Sequence, residues 1–200
     1  MSRSILGGLL AAFVLTACDK PNYPESERDL ASLVKWGAAS QTLMLGEKPA
    51  RVVKSWDFSQ APIGLELLNA KAKLVPGQGL LVSGVASDPG LRLPTDGLRG
   101  SEASLLVVRL TRVKATANWD GAVYYATEQH PESARFMSRP AGSVVPPTGV
   151  PVVLVYDMEA LRAGGDDWMK SMIKHIRLDL DDGAGGEVLI HQVALVWEPF

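Results

Sequence analysis

The hydrophobic pattern divides this chain of 200 residues into three regimes. Residues 5–17 form an uncharged, mostly apolar run of thirteen behind a start that carries one cation, Arg3. Residues 19–29 hold two prolines and six charged side chains with almost no apolar content, the composition of an extended linker. From residue 30 the spacing of Leu30, Leu33 and Val34 suits a helical turn, but Gly46 and Pro49 soon end any regular element. A short helix or an irregular turn is expected there, with a first strand over 42–45.

Beyond residue 50 the pattern becomes strand-like. Apolar or alternating runs at 51–58, 65–75, 80–86, 104–116, 121–127, 152–157, 173–180 and 187–197 are separated by turn residues. Pro76-Gly77-Gln78-Gly79 joins two runs as a hairpin. Ser87-Asp88-Pro89-Gly90 is another turn, 94–101 and 140–151 read as loops, and 181–186 as a tight acidic turn. One helical turn fits within 158–170 before Gly164-Gly165. Many short strands without long helical periodicity or a repeat predict an all-β sandwich or barrel. The expected division is a signal peptide at 1–17, a tether and lead-in segment at 18–50, and a β-sandwich domain at 51–200.

Composition narrows the function classes. A formal charge of −2, with no basic block, argues against a nucleic-acid partner. Hydrophobic residues make up 46%, which argues against disorder, and about 180 residues beyond the leader suffice for one core. Cys18 is the only cysteine, so no disulfide within the chain holds the domain together.

The first apolar run is too short for a spanning helix, which needs roughly 20 residues. A basic start, a short apolar middle and small residues before a cut site make a secretory signal. Leu15-Thr16-Ala17-Cys18 resembles the lipobox of bacterial lipoproteins. That resemblance implies cleavage before Cys18, a diacylglycerol on its thiol and an acylated new amino end. The alternative is an ordinary signal peptide with a chance cysteine. Several acyl chains anchor stably where one binds marginally, so membrane lipid is an expected partner through Cys18. Asp19 resembles the signal that retains enteric lipoproteins in the inner membrane. The expected location is therefore the periplasmic side of the cell envelope, with the inner membrane favoured over the outer.

The order of features from about residue 56 to 197 resembles the galactose-binding-like jelly rolls of bacterial envelope and polysaccharide-active proteins. The resemblance rests on Leu80-Leu-Val-Ser-Gly-Val-Ala-Ser-Asp-Pro-Gly-Leu-Arg-Leu-Pro94 and on Gly121-Ala-Val-Tyr-Tyr-Ala-Thr127. It rests further on Arg135-Phe136, Trp168, and Ile176-Arg177-Leu178-Asp179 leading through glycines to the last strand. Leu180 stands where those modules usually carry proline. The resemblance implies a jelly-roll β-sandwich and carbohydrate recognition as a common use of the fold.

Candidate binding residues follow from aromatic and cationic chemistry. A pyranose presents an apolar C–H face to aromatic rings, and arginine offers a planar fork to hydroxyls or carboxylates. Trp56 and Trp197 sit in apolar runs and read as core. Trp119, in the polar turn Asn118-Trp119-Asp120-Gly121, is the candidate platform, and Trp168 either caps the sandwich edge or meets a ligand. Alternation places His175, Arg177 and Asp179 on one strand face. If their strands are neighbours, Arg109, Tyr125, His175 and Arg177 line one concave surface; the competing reading is an ordinary exposed sheet face. Asp179, Asp181 and Asp182 do not match the spacing of a calcium loop and read as a turn. No histidine pair at metal spacing, nucleophile elbow or phosphate loop is present, so no catalytic residue, metal or cofactor is expected. Three functions remain: non-catalytic recognition of an envelope or exported polysaccharide; an accessory subunit docking on an envelope assembly through protein contacts; and a hydrolase, which would need turnover that vanishes with one carboxylate mutation.

Overall fold

The computed structural model describes residues 30–198. The predicted signal, Cys18, Asp19 and the linker at 19–29 lie outside the described residues. In chain order the elements are α1 (Leu30–Leu33), β1 (Val34–Gly37), β2 (Thr42–Leu45), β3 (Lys48–Pro49), β4 (Arg51–Trp56), β5 (Glu66–Leu68), β6 (Ala70–Val75) and β7 (Gly79–Gly84). There follow β8 (Gly90–Arg99), β9 (Leu105–Lys114), β10 (Val123–Thr127), β11 (Met137–Ser138), β12 (Pro151–Asp157), α2 (Asp167–Lys170), β13 (Met172–Asp179) and β14 (Glu187–Trp197).

Two antiparallel sheets face each other. One has the order β11-β10-β13-β8-β5; the other runs β12-β9-β14-β7-β6, with β4 also paired to β14. The three central strands of the first sheet send alternate residues inward: Leu91 and Leu93 from β8, Val123 and Tyr125 from β10, Ile176 and Leu178 from β13. They meet Leu106, Val108 and Leu110 of β9 and Val193 and Leu195 of β14 from the opposite layer. The chain is thus an all-β jelly-roll sandwich, with strand exchange between layers burying one continuous core.

The two sheets differ on their outer faces. Residues 30–49 form α1 and the small sheet β1-β2-β3, and Leu30, Val34 and Leu43 pack on Leu105, Val107, Val155, Ala194 and Val196. The second sheet is therefore covered on both sides. This is why β9 reads Leu-Leu-Val-Val-Arg-Leu, without alternation: both faces need apolar residues. The outer face of the first sheet carries no such layer.

Three local expectations are corrected. The run at 65–75 is not one strand: Asn69, at φ 45, breaks it, so β5 joins one sheet and β6 the other. The stretch 94–101 is not a loop, because β8 continues to Arg99. Pro94 is tolerated there because β5 pairs only with Gly90, Leu91 and Arg92, so β8 has lost that neighbour by residue 94. The helical turn expected before Gly164-Gly165 comes after it, as α2. There Trp168 is sealed into the core and its indole N–H donates to the Ala103 carbonyl at 2.8 Å. Gly100 permits that seat, since a Cβ on it would lie 1.8 Å from the Trp168 carbonyl oxygen.

Candidate functional site

The open face of the first sheet is built by pairing. Tyr124 of β10 is opposite Arg177 of β13, which is opposite Arg92 of β8, which is opposite Glu66 of β5. One row across four strands thus carries a phenol, two guanidinium groups and a carboxylate, all pointing away from the core. The Arg177 guanidinium lies 5.3 Å from the Tyr124 ring centre, a cation–π distance. The next row carries Ala126, His175 and Pro94.

A β-bulge shapes the neighbouring stretch. The register slips between Ile173 and His175, so Ile173 stays in the core while Lys174 is exposed and His175 half-buried. Such a bulge re-aims side chains.

The loop between β10 and β11 lies over this face and is fastened at several points. Glu132 receives Arg92 as a bidentate fork, Nε to Oε1 at 2.7 Å and Nη2 to Oε2 at 3.0 Å. His175 Nε2 meets Oε1 at 2.7 Å, and Arg177 Nη1 lies 3.6 Å from Oε2. Burial raises the Glu132 pKa, but Arg92 and His175 outweigh it and hold the carboxyl below its ordinary value. At the loop's other end His130 stacks on Phe136, ring centres 3.4 Å apart, and its Nε2 meets Asp167 Oδ2 at 2.9 Å. Tyr125 donates to the same Asp167 oxygen at 2.7 Å. Against the loop lies a cavity of about 340 Å³, lined by residues 126–131 together with Lys174 and His175.

The two guanidinium groups are also held from the sides away from Glu132. Arg92 donates to Glu66 at 3.1 Å, and Arg177 to both Asp88 oxygens at 2.9 and 3.0 Å. Arg177 Nε also donates to Asp179 at 2.5 Å. Burial pushes the Asp179 carboxyl up to about 6; Arg177 opposes the rise, and Asp88 and Asp120 add to it.

The four residues expected on one concave surface, Arg109, Tyr125, His175 and Arg177, do not share it. His175 and Arg177 do share the open face, as alternation implied. Tyr125 points inward, fully buried, and its ring meets Trp168 edge-on at 5.1 Å. Arg109 belongs to the other sheet, with its guanidinium 4.2 Å from the Trp36 ring centre. Trp119 is half-buried at the sandwich end, 5.5 Å from the guanidinium of Arg112, which forms a buried ion pair with Asp181. Trp56 is core, whereas Trp197 is half-buried with Arg51 over its ring at 4.8 Å. The three aspartates near the acidic turn diverge: Asp179 binds Arg177 and Asp181 binds Arg112. Among the described residues no group of three or more His, Cys, Asp or Glu is placed to hold a metal ion.

Tyr124, Arg92, Glu66 and Glu132 of the face are not among the predicted residues. Counting alternation outward from inward Val123 finds Tyr124 rather than Tyr125, and Leu91-Arg92-Leu93 marks Arg92 in the same way. Glu132 has no sequence signal, because a loop carries no periodicity.

No protein-family model and no curated protein matches the sequence. Among solved structures, an exo-β-agarase superposes with a TM-score of 0.52 at 14% identity, over 76% of this chain and 25% of that one. The likeness shows a shared β-sandwich fold, and the chain spans about a quarter of the agarase's length. The xylan-binding module CBM15 aligns at TM-score 0.48 and 10% identity, over 74% of this chain and 99% of that one. A low-affinity xylan-binding module, CBM86, from Roseburia intestinalis aligns at 0.43 and 10% identity, over 72% and 95%.

Proposed function

We propose that the chain is a lipid-anchored envelope protein that recognises a polysaccharide, without catalysis, on the open face of its five-stranded sheet. The observation that carries this reading is the row Tyr124–Arg177–Arg92–Glu66, an aromatic ring beside planar hydrogen-bonding groups on a face with no apolar covering layer. Tyr124 is half-buried, and its phenolic oxygen makes no hydrogen bond among the described residues, so it is available to a sugar hydroxyl. The ring supplies an apolar platform for a pyranose, and the guanidinium and carboxylate groups supply directional donors and acceptors. A non-catalytic role is supported by the carboxyl groups themselves. Asp179, whose pKa burial raises to about 6, is buried beneath Arg177 rather than presented to the face, and Glu132 is engaged on both oxygens.

Anchoring follows from the lipobox-like stretch ending at Cys18. An unmodified Cys18 thiol in the mass of the amino-terminal peptide would remove that part of the reading. Recognition is tested by exposing the purified mature chain to an array of plant, algal and bacterial polysaccharides. Binding is expected, and Tyr124→Ala is expected to weaken it by about tenfold or more. Polysaccharide binding unchanged in Tyr124→Ala, with the fold intact by circular dichroism, would refute this face as the contact surface. Absence of all glycan binding, with a stoichiometric protein captured from detergent-solubilised membranes, would favour an accessory subunit instead.

A further inference from the structure

Glu132 sits on the open face as a guest. The groups around it, Arg92 on β8 and His175 and Arg177 on β13, belong to the sheet, whereas Glu132 comes from the loop that crosses above. Two guanidinium groups and an imidazole converge on one carboxylate, with two bonds from Arg92 and one from His175 at 2.7–3.0 Å. Only 11% of the Glu132 side chain remains exposed.

The seat does not depend on its guest. Arg92 and Arg177 are cross-strand partners fixed by the ladder. Arg92 is held from one side by Glu66, and Arg177 by Asp88 and Asp179. The loop also has fasteners of its own: the Gln129 and His130 amides donate to Thr127 Oγ1, and His130 meets Asp167 and Phe136. Withdrawing Glu132 would leave a preformed, cation-lined seat rather than a collapsed face.

The space beside the seat suits a sugar. His175 lines both the seat and the cavity of about 340 Å³, which falls in the range of small-molecule sites, roughly 300–1,000 Å³. Lys174, turned outward by the bulge, borders the same cavity and makes no ion pair among the described residues.

We propose that Arg92, His175 and Arg177 form a carboxylate seat for an acidic sugar unit, a uronate, and that Glu132 occupies it until such a ligand displaces it. This deepens the reading above and rests on it: the polysaccharide would be one carrying uronic acids. A uronate places its carboxylate on a pyranose ring, so one unit would set its anion in the seat and its ring in the adjoining cavity. Bidentate Arg–carboxylate geometry supplies the specificity.

The test titrates the mature chain by calorimetry with tetragalacturonate, with a neutral galactose oligomer of equal length and with oligoglutamate. Wild type, Glu132→Ala, Glu132→Gln and the pair Glu132→Ala/Arg177→Ala are compared, each with circular dichroism and melting to establish folding. Vacating the seat is expected to raise tetragalacturonate affinity by about tenfold or more, the worth of a charge-assisted hydrogen bond. Glu132→Gln should do so more weakly, and removing Arg177 as well should abolish the gain. The neutral oligomer should not distinguish Glu132→Ala from wild type. Folded Glu132 variants that bind tetragalacturonate no better than wild type would overturn the seat, while neutral-glycan binding sensitive to Tyr124 would leave the broader reading standing. Equal gain for oligoglutamate would overturn the sugar assignment and make the ligand an acidic peptide.

Discussion

The sandwich has two outer faces, and they are built by opposite means. On the second sheet, Leu30, Val34 and Leu43 cover Leu105, Val107, Val155, Ala194 and Val196 in a mostly apolar contact, with the Arg109 guanidinium against the Trp36 ring. On the first sheet the outer positions carry Arg92, Arg177, His175 and Tyr124, knitted to Glu132, Glu66, Asp88 and Asp179. The apolar layer supplies stability, because each buried aliphatic side chain is worth about 1.5–3 kcal/mol. The charged layer supplies little, because partly exposed ion pairs contribute about 0–1 kcal/mol and burial offsets the gain of the deeper ones. Polar groups that add little stability on that face fit the recognition role proposed above.

The largest effect is expected from Leu43→Ala. Leu43 is 1% exposed between the small sheet and the sandwich, and truncating such a residue costs about 2–5 kcal/mol. Urea unfolding should show a single transition with its midpoint lowered accordingly. Its insensitivity to salt would mark the loss as apolar. A first transition confined to residues 30–49, leaving the sandwich midpoint unmoved, would show that the cap is a separate layer rather than part of the cooperative fold.

The same contrast explains what the chain revealed before folding was known. β13 alternates because its outer face meets water, so His175 and Arg177 could be placed together from spacing alone. β9 and β14 do not alternate, because the cap buries their outer residues, and nothing in the sequence announced that residues 30–49 would supply it. Arg109 was legible as an interruption of an apolar strand but not as a residue of the opposite sheet, since spacing gives the face of a strand and not its layer. Tyr125 was misplaced by one position, and a shift of one in a period of two turns a platform into core. Glu132 was silent because its meaning comes from a loop crossing above two strands far away in the chain.

A medium effect is expected at Asp179, on the charged face. Burial raises its pKa from 3.8 to about 6, so the folded chain holds that proton more tightly than the unfolded chain. Stability from this group is therefore present below about pH 4, falls as pH rises towards 6, and stays lower above, a loss on the order of 2–3 kcal/mol. Asp179→Asn removes the titration. Glu132 and Asp167 are held below their ordinary values and act with the opposite sign, but they are common to both proteins and cancel in the difference. Urea midpoints from pH 4 to 7 should show the variant gaining on wild type as pH rises. A constant difference across that range would show that Arg177 fully compensates the buried carboxylate.

The smallest effect is expected on the capped sheet, at the charge that lies against the cap. Arg109 is the cation of the capped sheet, and its guanidinium rests 4.2 Å from the Trp36 ring centre, on a strand of the cap. Burial pulls its pKa down, and it makes no ion pair among the described residues, so the ring is its main electrostatic partner. Trp36→Leu keeps apolar cover and removes the ring quadrupole. A loss of about 0.5–1 kcal/mol is expected, against the several kcal/mol at Leu43. A double-mutant cycle with Arg109→Met separates the two contributions. A coupling of that size would mean that a single charge–ring contact helps orient the cap. A coupling near zero would mean that burial alone docks it, and the division between an apolar face and a charged face would then be complete.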